Sequence, residues 1–223
     1  MKKSLDLSIY FVADPTLCGG REVADVVAAA LRGGVSMVQY RDKGCPHATR
    51  DLIMHHAQAV RDAVYRHNRE TGADVPFLVN DHVEIAREVG ADGVHLGQGD
   101  MSAKEARKIL GPEAIIGLTA FTEDQIRAVD PAVVDYIGTG PFYETHTKKG
   151  KPVLGAPEFG GNGEFSRLAA LSPVPVVGIG GITPDNAAAV IAAGAQGVAM
   201  MRSVSEAEDP EAAARAFKKF LEI

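Results

Sequence analysis

Short apolar runs rich in Val and Ile recur eight times along the chain: SIYFVAD (8–14), SMVQYRD (36–42), PFLVND (76–81), GVHLG (93–97), AIIGLT (114–119), VDYIGTG (134–140), PVVGIG (175–180) and GVAMM (197–201). They are near-continuous rather than alternating, as expected of strands buried on both faces of a parallel sheet. Between them the period changes. Ile53, Ala57, Val60 and Val64 recur at the i, i+4, i+7, i+11 spacing of one buried helix face. Ser102–Glu105 and Thr122–Gln125 have the form of capping boxes. Thr183 followed by Pro184 reads as an N-cap with proline at the first helical position.

Three stretches share one plan: RGGVSMV (32–38), VGADGVHL (89–96) and AGAQGVAM (193–200). In each, a helix is expected to end at a glycine (Gly34, Gly90 or Gly194), with an apolar strand following within a few residues. Recurrence in both halves of the chain implies repeated βα units. Eight of them in one α/β domain over residues 1–223 predict a single-domain (β/α)8 TIM barrel. A doubly wound open sheet is the competing architecture. Its dinucleotide-binding form is weakened because no Gly-x-Gly-x-x-Gly follows the first strand.

The polar residues fall where such a barrel carries chemistry, at the C-terminal ends of strands. The second strand ends in Gln39, Arg41, Asp42 and Lys43, the third in Asn80 and Asp81, and the fourth in His95 with Gln98 and Asp100 just beyond. Thr119 ends the fifth, and the sixth and seventh lead into GTGPFYETHTKKG and GIGGIT. The strand starts are expected to carry much less polarity. Each residue also has a plain structural reading. Asp81 with Glu84 is a possible helix cap, Asp100 a first-turn acid, Lys148 and Lys149 solvated loop charges. His95 reads more naturally as a satisfied core residue than as a catalyst, and His55 and His56 as surface. What separates the readings is convergence: two carboxylates, Asp81 and Asp100, and three cations, Arg41, Lys43 and Lys148, meet at one barrel mouth. Mg²⁺ takes one or two carboxylates together with water and phosphate oxygens, and Arg and Lys neutralise the remaining phosphate charge. A diphosphate matches this set better than a monophosphate. The three glycines of GIGGIT and the MMRS segment form a second anion site, since the loops after strands 7 and 8 of barrels often bind phosphate. Two anion sites imply two phosphorylated reactants, or one long one.

Composition narrows the partners without changing this picture. With 46% apolar and 23% charged residues and a formal charge of −6, the chain is ordinary globular material and not a general nucleic-acid binder. Cys18 and Cys45 are its only cysteines and form no CxxC or zinc spacing, which fits a reduced intracellular protein. The N-terminal segment makes a poor signal peptide, and no run approaches the ~20 apolar residues of a membrane span. A cytoplasmic location, no membrane partner and a possible homo-oligomer are the expectations.

The runs VQYRDK, VNDH, GVHLGQGD, IGTGPFYETHTKKG, VPVVGIGGIT and GVAMM resemble, in order and spacing, the thiamine phosphate synthase family of (β/α)8 enzymes, over nearly the whole chain. The resemblance implies transfer of an aminopyrimidine from its diphosphate to thiazole phosphate, by a Mg²⁺-assisted dissociative substitution that needs no covalent enzyme nucleophile. It implies Asp81 and Asp100 as metal ligands, and Arg41, Lys43, Asn80 and Lys148 as diphosphate contacts, with Arg41, Lys43 and Lys148 catalytic. Gln39 and Thr119 would address the pyrimidine, with Tyr40 and Asp42 counted in the binding set. Thr145, His146, Thr147, Gly181, Met201 and Arg202 would meet the thiazole phosphate. Arg202 departs from the family, which often has serine there. Residues 144–165, long and rich in Gly and Pro, suggest a lid over the diphosphate. The alternatives are a thiazole phosphate tautomerase-like isomerase and a non-catalytic thiamine-phosphate-binding paralogue.

Overall fold

The computed structural model describes residues 5–43, 48–145, 152–155 and 163–220. Its strands are β1 (Ile9–Ala13), β2 (Met37–Tyr40), β3 (Phe77–Asn80), β4 (Gly93–Leu96), β5 (Ile115–Thr119), β6 (Tyr136–Thr139), β7 (Val176–Ile179) and β8 (Gly197–Met200). Each lies inside its predicted run. Every neighbouring pair is parallel, and β8 pairs back onto β1 through Ile9 and Val198, so the sheet closes and the open-sheet alternative fails.

Helices α1 (Val23–Gly33), α2 (Arg50–Thr71), α3 (Val83–Val89), α4 (Ala103–Leu110), α5 (Glu123–Arg127), α6 (Gly163–Leu171), α7 (Ala187–Ala192), α8 (Arg202–Ser205) and α9 (Pro210–Ala216) follow or separate the strands. Helix α2 buries the anticipated face, Ile53, Ala57, Val60 and Val64, with Ala63 added. The three predicted helix-ending glycines all take positive φ: 98° at Gly34, 67° at Gly90 and 105° at Gly194. An L side chain is strained there.

Two of the three start signals need correction. The Ser102–Glu105 box is complete, with both reciprocal bonds formed. Thr122 accepts from the Gln125 N–H, but the Gln125 amide oxygen binds the Phe121 N–H instead of returning to Thr122. Thr183 is no N-cap: α7 begins at Ala187, after a turn in which the Asn186 side chain binds the Thr183 N–H. The Thr183 carbonyl accepts from the N–H groups of Asn186 and Ala187, so Pro184 sits in a turn and not in the helix.

Strand alternation divides the core in two. Ile9, Phe11 and Ala13 of β1 face outward into the layer between sheet and helices, while Tyr10 and Val12 face the barrel axis. The axial cluster comprises Tyr10, Val12, Met37, Leu78, Tyr136, Val177 and Ala199, closed from below by Leu7. Full burial of a large side chain such as Phe11 or Leu78 stabilises by ~1.5–3 kcal/mol.

The strand starts are less apolar than expected. Ser36, Asp92, Asp135 and Gln196, each just ahead of an even-numbered strand, make the same two-point clamp on the preceding odd strand. Their side chains accept from the N–H groups of Ile9 (2.9 Å), Phe77 (2.8 Å), Ile116 (2.8 Å) and Val176 (2.6 Å). Their own N–H groups return to the carbonyls of those four residues at 2.8–2.9 Å. Asp135 also receives the Arg107 guanidinium at 2.7 Å.

Candidate active site

The C-terminal mouth of the barrel opens into a cavity of about 820 Å³. Alternation along β2 decides which of its terminal residues enter. Gln39, Arg41 and Lys43 line the cavity; Tyr40 and Asp42 do not. Tyr40 is buried on the outer face, with its hydroxyl donating to Asp42 Oδ2 (2.9 Å) and lying 3.5 Å from His56 Nδ1 on α2. The period of two along a strand sends residues 40 and 42 opposite to 39, 41 and 43. Tyr40 and Asp42, counted in the expected binding set, thus stand outside the cavity.

Arg41 is held from behind. Its guanidinium binds Asp14 Oδ2 at 2.7 Å, and Asp14 is only 2% exposed at the end of β1. Asp14 also accepts from the Thr16 N–H (3.1 Å) and hydroxyl (2.6 Å). The pair aims a cation at the mouth through a carboxylate that does not itself line the cavity.

Asp81 takes φ = +61°, the one described non-glycine residue with positive φ. This conformation costs an L residue free energy, although Asp and Asn tolerate it best. It is not a helix cap. The N-cap of α3 is His82, without a side-chain capping bond. The Asp81 side chain binds Lys43 Nζ at 2.6 Å and contacts Asp100. Asp100 lies two residues ahead of the α4 N-cap, not in its first turn, and accepts from the Gly97 N–H at 2.7 Å. A Cβ on Gly97 would approach Asp100 Oδ2 to 2.8 Å, so the glycine lets the carboxylate fold back.

Burial raises the Asp81 carboxyl above the ordinary aspartate range, against the pull of Lys43 and with a further push from Asp100. Burial pushes Asp100 up as well, but contact with Asp81, the Gly97 N–H and Lys43 outweigh it and hold that carboxyl low. Two acids in contact, sharing one lysine, are short of positive charge. That is the deficit a divalent cation relieves. No group of three or more His, Cys, Asp or Glu side chains suited to a metal occurs among the described residues. Two carboxylates at an open mouth match Mg²⁺, which retains waters and takes phosphate oxygens.

Asn80, Thr119, Thr145, Gly181, Met201 and Arg202 also line the cavity. Gly180 and Gly181, at φ 104° and 65°, bend the loop after β7 against the loop after β6. The Phe142 and Tyr143 N–H groups bind the carbonyls of Ile179 and Gly180. A Cβ on Gly181 would lie 2.4 Å from the Glu144 carbonyl oxygen, so glycine is required where the loops meet. Arg202 pairs with Glu206 one turn further along, and both line the cavity. Its charge is therefore partly offset at the mouth. His146, Thr147 and Lys148 lie outside the described residues, as does much of the proposed lid at 144–165.

Sequence reasoning missed Asp14, Glu206 and the two tyrosines of the cavity floor, Tyr10 and Tyr136. Gln39, only 3% exposed, donates from Nε2 to the Tyr10 hydroxyl. Tyr10 and Tyr136 hydroxyls are 2.7 Å apart, Tyr136 meets His95 Nδ1 at 2.9 Å, and His95 Nε2 meets Thr119 Oγ1 at 3.0 Å. Gly117 makes room for this chain, because a Cβ there would sit 2.2 Å from the Tyr136 ring and 2.5 Å from His95. His95 is hydrogen-bonded through both ring nitrogens, as its core reading anticipates, yet it also lines the cavity. Glu206 had a signal, the i, i+4 spacing from Arg202. The floor had none, since its tyrosines are 126 residues apart.

Comparison with known proteins gives one consistent result. The family described as thiamine monophosphate synthase matches residues 9–204. A thiamine-phosphate synthase of Laribacter hongkongensis is 43% identical over 217 residues, covering 96% of this chain and 95% of that protein. One from Bacillus velezensis is 41% identical, covering 96% and 90% respectively. Among solved structures, a thiamine phosphate pyrophosphorylase from Pyrococcus furiosus superposes with a TM-score of 0.77 at 29% identity, covering 98% of this chain and 96% of that one.

Proposed function

The chain belongs to the thiamine monophosphate synthase family, and on that premise we propose how its barrel mouth carries out the transfer. The protein is a transferase that joins the aminopyrimidine of a pyrimidinylmethyl diphosphate to thiazole phosphate, giving thiamine phosphate and diphosphate. The methylene carbon–oxygen bond to diphosphate breaks, and a bond from that carbon to the thiazole nitrogen forms. The observation that carries the reading is the Asp81–Asp100 pair with Lys43 and Arg41 on one wall of a cavity whose opposite wall is the glycine-bent loop after β7.

Asp81 and Asp100 would hold Mg²⁺, which when bound supplies positive charge to the diphosphate as it leaves. Arg41 and Lys43, with Asn80 and Lys148, neutralise and orient the same group. Arg41 does so from a fixed position because Asp14 braces it. Gln39 and Thr119 grip the pyrimidine edge, while Thr145, His146, Thr147, Gly181, Met201 and Arg202 receive the thiazole phosphate. Preorganised charge at the leaving group and correct placement of the nucleophile account for most of the rate. The described cysteine supplies no covalent nucleophile: Cys18 is buried, its thiol pushed up to about 11 mainly by that burial. No helix among the described residues is long and apolar enough to cross a membrane.

The test is diphosphate release by purified protein with each substrate alone and with both, in the presence of Mg²⁺. Release coupled to thiamine phosphate formation, requiring both substrates, is expected. Binding of thiamine phosphate with no turnover would replace the reading with the non-catalytic one, and conversion of the thiazole alone with the isomerase one.

A further inference from the structure

Beside the glycine-bent loop after β7, the cavity carries a pair of opposite charges at one short helix. Arg202 and Glu206 stand one turn apart at α8, with Nη1 of the guanidinium bound to Glu206 Oε1, and both side chains line the cavity. Half-exposed pairs at this spacing are commonly solvated surface contacts of little consequence. Three observations set this one apart. Arg202 Nε is enclosed and has no hydrogen-bond partner among the described residues. The hydroxyl of Ser203, which also lines the cavity, is likewise enclosed and unpartnered. An enclosed donor without an acceptor is penalised. Third, the backbone that carries Glu206 is fixed. Arg21, from the segment ahead of α1, donates to the carbonyls of Ser205 (2.6 Å) and Ala207 (2.9 Å). The Glu206 N–H binds the Arg202 carbonyl at 3.0 Å.

The arrangement is a long cationic arm held at its tip by an anchored carboxylate, while its inner nitrogen goes unmatched. A phosphate group changes that balance. It offers several acceptor oxygens and up to two negative charges, and arginine binds it through paired N–H groups. Carboxylate and phosphate therefore compete for one guanidinium.

We propose that Glu206 is an internal anion that holds Arg202 off the phosphate in the unliganded enzyme, weakening the grip on thiazole phosphate and on thiamine phosphate alike. The affinity observed is the intrinsic one reduced by the fraction of molecules in which Arg202 is free. The product keeps the phosphate of the thiazole, so the contact that weakens substrate binding also eases product release. Glu206 acts through Arg202 and is a positioning residue. The proposal rests on the reading that Arg202 receives the thiazole phosphate.

Calorimetric titration of thiazole phosphate and of thiamine phosphate into wild type, Glu206→Gln, Glu206→Asp and Arg202→Ala tests it, with KM for the pyrimidine diphosphate measured alongside. Gln removes the charge; Asp keeps the charge but withdraws it from the guanidinium by one methylene. In both Glu206 variants Kd for the two ligands is expected to fall about two- to fivefold, the scale of one half-exposed ion pair. KM for the pyrimidine diphosphate should stay at its wild-type value, which a general disturbance of the barrel mouth would not allow. Tighter binding in Glu206→Gln but not in Glu206→Asp would mean plain charge repulsion and overturn the proposal. Unchanged or weaker binding in both, with Arg202→Ala still weakening thiazole phosphate, would also overturn it and leave the phosphate placement intact. If Arg202→Ala leaves thiazole phosphate binding unchanged, the placement itself fails, and the proposal with it.

Discussion

The two ends of this barrel use similar residues to opposite purpose. At the strand starts, Asp92 and Asp135 are each committed to a backbone N–H, and Asp135 also to Arg107. At the strand ends, Asp81 and Asp100 touch each other, and Asp81 also a lysine. A carboxylate bound to backbone N–H groups is matched to its surroundings. Two carboxylates in contact are not matched, and that mismatch supports the metal and diphosphate site proposed there. Polarity alone does not mark a site. Polarity left unresolved by the fold does.

Substitutions at the two ends should separate cleanly. The largest effect is expected at the top. Asp81→Asn keeps a residue type that tolerates positive φ, so the fold should survive, while Mg²⁺-dependent turnover falls by about 10²–10³, the scale of one lost preorganised electrostatic contact. Near-normal rates across a Mg²⁺ titration would remove Asp81 from the metal site. Next comes the bottom. Asp135→Asn retains an acceptor for Ile116 but uncouples the charge of Arg107, a largely buried partner. The cost should be about 1.5–3 kcal/mol, or roughly 3–12 °C in melting temperature at this chain length, with kcat unchanged. A fall in kcat without a fall in stability would erase the proposed division between the ends.

A smaller effect tests whether the top also contains bracing. Asp14→Asn should preserve the Thr16 contacts yet free Arg41 from its charged partner. We expect kcat/KM to drop about tenfold, one bond to a charged group. Unchanged kcat/KM would mean that Arg41 is aimed by something other than Asp14. The smallest change is Ser36→Ala, which removes a neutral hydroxyl that accepts from the Ile9 N–H and donates to the Ile9 carbonyl. Denaturant titration should register about 1 kcal/mol and the assay nothing; a loss of activity would show that clamp geometry is felt at the mouth.

Much of this was legible before the fold was known, for reasons that differ by residue. The strands announced themselves because barrel strands are buried on both sides, so their apolar runs are unbroken. The glycines at positions 34, 90 and 194 announced the helix ends through the backbone conformation they alone adopt cheaply. Asp81 was ambiguous because Asp before an amphipathic segment is equally a cap or a ligand, and only the direction of its side chain distinguishes them. That Tyr40 and Asp42 stand outside the cavity follows from alternation along β2, a rule readable in the sequence. The phenols of Tyr10 and Tyr136 carry no local pattern at all. Two apolar-looking strand residues become a polar pair only when the sheet closes and puts them face to face.

The four clamps at the strand starts bear on the order in which the chain assembles. They join residues 27, 15, 19 and 20 positions apart, each within one strand–helix–strand unit. The seam that closes the cylinder joins Ile9 to Val198, a loop roughly tenfold longer, whose closure entropy is about 2 kcal/mol less favourable. Local pairing should thus precede the seam, as contact-order arguments require. In pulse-labelled hydrogen exchange, the Phe77 and Ile116 amides should gain protection before that of Val198, whose N–H binds Ser8 across the seam. Simultaneous protection of all three would mean that the cylinder closes in one step.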